Sequence, residues 1–119
     1  MTDNEKLQQF LENAKHMVLA VTLDDGMPWA VPVKIQEQHG RVFEWDSKLD
    51  TVHSQAIAGH PDAAIVIFTK DQGNQFGFYA KGRAEEVLRR PDGYGRYRFT
   101  ARETWINDQT FTKRKVELG

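Results

Sequence analysis

TVHSQAIAGHPDAAIVIF, residues 51–68, holds two different periodicities on either side of a stop signal. From Leu49 to Gly59 the spacing is helical, with Val52, Ala56 and Ile57 directed inward and Asp50 or Thr51 as N-cap. Gly59 and Pro61 end it, which predicts a helix of two to three turns. The next six residues, 63–68, read AAIVIF and are apolar without alternation. That pattern predicts a strand buried on both faces, in a barrel interior or a dimer interface, and makes this segment the expected central strand.

Upstream, RVFEWD at 41–46 puts Phe43 and Trp45 on one face of a strand that follows a turn at His39-Gly40. Before it, PWAVPVKIQ at 28–36 places Trp29, Val31, Val33 and Ile35 on one face, and Asp25-Gly26 joins it as a hairpin to MVLAVTL at 17–23. Pro32 has no N–H for a ladder, so this strand is expected at an edge or a bulge. Thr2 and Glu5 have capping-box spacing, and Leu7, Phe10, Leu11 and Ala14 follow at i, i+3, i+4 and i+7. Residues 3–15 therefore read as an amphipathic helix.

Downstream, the polar turn KDQGNQ precedes a long strand, FGFYAKGRAEEV at 76–87, whose Gly77 and Gly82 indicate a bend or a close approach. RRPDGYGRYR, 89–98, reads as a break in regular structure, and a last strand is expected at 110–118. The sum is one domain over 1–119, mainly β (α+β): a six-stranded antiparallel barrel with helices covering its ends.

Composition excludes several classes of function. Sixteen basic and seventeen acidic residues leave a net charge of −1, so no global field gathers nucleic acid or an anionic membrane. The arginines between Lys81 and Arg102, interleaved with Tyr94, Tyr97 and Phe99, read as a solvated loop or a basic rim. With no cysteine there is no disulfide, thiolate metal site or cysteine nucleophile. His16, His39 and His60 lack metal-site spacing, so no metal is expected. No apolar run approaches the roughly 20 residues that span a bilayer, and the polar N-terminus points to the cytoplasm. GxSxG, P-loop and GxGxxG motifs are absent.

One stretch suits an anion. A helix start offers unpaired N–H groups and a positive dipole end, and Thr51 and His53 lie in that first turn. Lys34 closes the second strand on the face opposite Trp29, Val31 and Val33.

The order of elements, with AVPVKI, FEWDS, TVHSQAIAGHPDAAIVIF and FYAKGRAEEV, resembles the pyridoxamine 5′-phosphate oxidase-like family of FMN-binding split barrels over nearly the whole chain. The resemblance implies a six-stranded split β-barrel, a homodimer with FMN at the subunit interface, and an oxidoreductase acting on a small molecule. A non-catalytic module for flavin, deazaflavin or haem on the same barrel is the alternative. Matched residue by residue, the family's basic position late in the second strand falls on Lys34, its hydroxyl on Thr51 and its following lysine on His53. The ring-contacting stretch falls on Trp45, Asp46 and Ser47, and the partner's contribution on Gln75 to Tyr79 with Trp105. Trp29 and Val52 stand where the family often has basic residues. The resemblance assigns no catalytic acid or base.

Overall fold

The computed structural model describes residues 1–71, 74–110 and 112–119. Helix α1 (Asp3–Asn13) begins at the expected capping box, with the Glu5 N–H donating to Thr2 Oγ1 and the Thr2 N–H donating to Glu5 Oε1, both at 3.1 Å. Its Leu7 and Leu11 are buried. Strands β1 (His16–Thr22) and β2 (Pro28–Lys34) form the hairpin, turned at Gly26 with φ of +85°. β3 (Glu37–His39) and β4 (Val42–Lys48) follow around Gly40, and α2 (Val52–Gly59) leads into β5 (Asp62–Asp71). The chain then runs through β6 (Asn74–Arg89), β7 (Tyr94–Asp108) and the short β8 (Arg114–Val116).

These strands make one antiparallel sheet in the order β2-β1-β5-β6-β7-β4-β3, with β8 added to β7. β2 comes back against β4, where the Gln36 N–H donates to the Glu44 carbonyl at 2.8 Å. The sheet thus curls into a barrel whose β2–β4 seam is not a continuous ladder. Leu19, Phe43, Trp45, Phe78, Phe99 and Ile106 fill the interior with no exposed surface. β2 is an edge strand, as Pro32 requires.

Several expectations are corrected. Eight strands appear among the described residues, not six. The largest difference is β7: after the turn at 91–93, RRPDGYGRYR continues into a 15-residue strand, because Gly95, Tyr97, Phe99 and Ala101 alternate inward while arginines alternate outward. The expected strand at 110–118 is only Arg114–Val116, and Phe111 lies outside the described residues, as do Gln72 and Gly73 of the KDQGNQ turn. β6, not β5, is central. Among its described side chains β5 buries only Ile65 and Ile67, leaving Phe68 64% exposed. Val52 faces solvent at 47%, while His53, Ser54, Ala56 and Ile57 form the buried side of α2.

A bulge separates two parts of the β6–β7 ladder. Lys81 pairs with Glu103 and Gly82 with Ala101, so Arg102 is an extra residue. A Cβ at Gly82 would collide with the Thr100 carbonyl, which explains the glycine there.

Candidate functional site

Alternation along β4 turns Phe43, Trp45 and Ser47 inward and leaves Glu44 and Asp46 on the outer surface. The strand runs into α2 through a capped turn. The Ser54 N–H donates to Thr51 Oγ1 at 3.2 Å, the Thr51 hydroxyl donates to Ser54 Oγ at 2.7 Å, and Ser54 Oγ donates to the Lys48 carbonyl at 2.8 Å. His53 follows the cap and folds back beneath β4, its Nε2 2.8 Å from Ser47 Oγ and 3.5 Å from Thr51 Oγ1.

Ser47 and His53 are each only 8% exposed. Burial lowers the His53 pKa below its ordinary value, since the cation loses its hydration there. With its pKa held below the ordinary value of 6.5, His53 is predominantly neutral at pH 7. Its bond to Ser47 can run either way, depending on the tautomer.

The outer surface of β1, β2 and β5 has an apolar centre that reaches Tyr79 on β6. Successive ladder pairs place Pro32, Val18, Val66, Tyr79 and Trp105 in one row across five strands. Ala30, Ala20 and Ala64 make the next row, which ends in Lys81 and Glu103. Tyr79 and Trp105 are direct cross-strand neighbours. Lys113 Nζ lies 4.3 Å from the Tyr79 ring centre and Lys81 Nζ 5.6 Å from that of Trp105, so cations flank the aromatic pair.

The expected residues thus fall into separate groups. Ser47, Thr51 and His53 come together inside, at the start of α2. Tyr79 and Trp105 come together outside. Lys34 is exposed on that outer face, opposite His16, with no ion pair among the described residues. Gln75 is half-buried at the start of β6. Trp45 is wholly buried, stacked on Tyr97 at 5.7 Å, and its indole N–H has no partner. Asp46 is bound by Arg96 Nε at 2.7 Å and by Arg90 at 3.3 Å, and the Arg96 hydrogen bond lowers its pKa.

Sequence reasoning missed Ser54 and the ion pairs of Glu44 with Arg96 and Arg98, at 3.1 and 2.8 Å. A capping serine three residues after Thr51 and the alternation RYRF were the signals available for them.

A cleft of about 830 Å³ opens between α1 and the β5–β6 hairpin, and of the expected stretches only Gln75 and Phe76, from the start of β6, line it. Among the described residues no three His, Asp or Glu side chains are grouped to hold a metal. No described helix is long and apolar enough to cross a membrane.

No protein-family model matches the sequence, and no curated protein does. Solved structures do match its shape. A Clostridium acetobutylicum protein related to general stress protein 26 of B. subtilis, of the pyridoxinephosphate oxidase family, superimposes with a TM-score of 0.80 at 12% identity, over 98% of this chain and 96% of that one. A heme binding protein from Mycobacterium smegmatis gives 0.81 at 13% identity, over 98% of this chain and 58% of that one. An F420 reductase gives 0.68 at 14% identity, over 82% and 94%. At such identities likeness carries the fold alone, and this chain has the split-barrel fold of the pyridoxamine 5′-phosphate oxidase-like proteins.

Proposed function

We propose that this chain is an FMN-dependent oxidoreductase that works as a homodimer, with the cofactor between its subunits and a small molecule as substrate. The observation that carries the reading is the centre of the outer surface of β1, β2 and β5: two apolar rows, Pro32-Val18-Val66 and Ala30-Ala20-Ala64, the first of which runs on into an aromatic pair flanked by lysines. A second copy of the chain covers the apolar part. The aromatic pair offers a planar ring something to stack against.

The donors present fit a phosphate-bearing flavin. The first turn of α2 and the hydroxyls of Ser47 and Thr51 suit an anion, and Lys34, apart from them on the outer face, adds positive charge that no ion pair among the described residues takes up. Trp29 and Val52, exposed where related barrels often carry basic residues, leave the set short of fixed positive charge. His53 is a neutral hydrogen-bonding group until an anion draws a proton to it. Bound flavin supplies the hydride and electron chemistry; the side chains bind it, orient it and exclude water.

The test is fluorescence titration of FMN between pH 5.5 and 8.5. Quenching on binding is expected, with affinity rising as the pH falls, because a nearby phosphate raises the His53 pKa. His53→Gln should flatten that pH dependence, while Lys34→Met should weaken binding roughly tenfold at every pH. Reduction by NADH or NADPH without oxygen then separates an enzyme from a carrier. Absence of quenching and of flavin absorption in the purified protein sinks the proposal. A heme-binding module is the second reading, favoured by the match to the Mycobacterium smegmatis protein, and a Soret band would select it.

A further inference from the structure

The cleft between α1 and the β5–β6 hairpin is separate from the Ser47–Thr51–His53 cluster, and its size falls in the range of small-molecule pockets. Phe10 and Phe76 line it with ring centres 4.7 Å apart, and Phe68 adds a ring that is 64% exposed. Its charge is one-sided. Lys6, Lys15 and His16 line it; among the described residues neither lysine makes an ion pair at contact distance, though Lys6 acts on the Asp3 carboxylate through space. Asp108 is the one carboxylate among the described lining residues, and Arg114 already holds it at 3.1 Å.

An aromatic floor beside a cleft whose lining cations outnumber its lining carboxylates selects a flat, negatively charged molecule, since the rings take up apolar area and the lysines favour the anion. We infer that this cleft binds a small aromatic anion, an aryl carboxylate or aryl phosphate. A smaller hollow lined by Phe68, Gln75, Phe76, Gly77 and Tyr79 shares residues with it, so the cleft continues toward the Tyr79–Trp105 pair. As the substrate pocket of a flavoenzyme the cleft rests on the preceding proposal. As a binding site it does not.

Naphthoate is a suitable probe, with neutral naphthol as its uncharged counterpart and binding read by calorimetry on the full chain. Naphthoate should bind at least tenfold more tightly than naphthol. Lys6 and Lys15 are exposed, so the double variant Lys6→Met, Lys15→Met keeps the fold; it should lose about tenfold in naphthoate affinity and keep FMN affinity within about twofold. Equal binding of naphthoate and naphthol, or an unchanged double variant, overturns the inference. So does competitive displacement of naphthoate by FMN, which would place the probe in the flavin site. Naphthoate binding that depends on the lysines in a protein that takes no FMN would sink the flavin proposal and leave this one standing.

Discussion

The two parts of the sheet's outer surface are built on opposite plans. Across the middle of β4 and the first part of β7, the outward face is laced with ion pairs: Arg96 reaches both Glu44 and Asp46, Arg98 reaches Glu44, and Arg90 reaches Asp46. Across β1, β2 and β5 the central outward positions are Val18, Ala20, Ala30, Pro32, Ala64 and Val66, with charge only at the ends of the strands. Both surfaces back onto the same barrel core, so inner packing does not explain the difference. A sheet face that stays in water carries charged side chains at alternate positions. Arginine stems also cover apolar area while their heads pair with carboxylates. The other part lacks both devices, and an apolar face of this kind marks a surface that something else covers.

Three substitutions and one titration bear on this contrast. Val66→Glu places a charge in the middle of the apolar row, on a side chain already partly exposed in the protomer. Dimer dissociation should rise at least a hundredfold, about 3 kcal/mol, because a carboxylate would be buried without a partner. Sedimentation equilibrium at micromolar concentration reads it; an unchanged association, or a wild-type protein that is monomeric, removes the proposed role of this face.

Arg96→Met disturbs the other half. Glu44 and Asp46 have side chains only 12% and 24% exposed, and each would lose a charged donor. A cost of roughly 1–3 kcal/mol is expected in thermal or urea unfolding, with association untouched. Equal loss of dimer would mean that the two surfaces are not independent.

Acid titration sharpens the point. The Arg98 hydrogen bond lowers the Glu44 pKa, and the Arg96 hydrogen bond lowers that of Asp46. With folded values below the ordinary 4.5 and 3.8, their contribution is complete above those values and is lost as the pH falls through the folded ones. Unfolding measured from pH 6 downward should therefore show stability falling below about pH 4.5, less steeply in Arg96→Met than in the parent. Identical slopes would show that these pairs contribute nothing measurable.

The smallest effect expected is at His53. Its folded pKa is lowered by burial, so its stabilising share is full above the ordinary value of 6.5 and declines as the pH drops and the unfolded chain takes up the proton. His53→Gln should remove that decline between pH 6.5 and 5, a change of about 1 kcal/mol or less. A parent already flat over that interval would show that the imidazole is solvated.

Much of the fold was legible because local signals agreed with one another. The capping box before α1, the Asp25-Gly26 hairpin, the edge position of Pro32 and the Thr51 cap all stand where the residues put them. β7 was not legible as a strand because its outward arginines and the nearby Pro91 and Gly93 resemble loop composition. The pairing that makes them strand residues lies on β4, some 50 positions away. The site was legible in kind and not in placement. Thr51 and His53 were readable as a helix start, but that His53 turns beneath β4 to reach Ser47 depends on which side of a two-turn helix faces the barrel. The low helical amphipathicity of VHSQAIAG left that open.

The contrast between the two surfaces depends on Arg102. Because one residue is looped out of the β6–β7 ladder there, the rule for which side chains point outward changes parity within a single strand. Trp105 and Glu103 face out on one side of it, and Thr100, Arg98 and Arg96 face out on the other. Arg102 thus works like an inserted letter that restores a reading frame. Were it deleted without compensation, either the aromatic platform would turn into the barrel or the arginines would, with Tyr97 and Phe99 carried to the outside. In this molecule a local irregularity is what lets one continuous strand serve two incompatible surfaces.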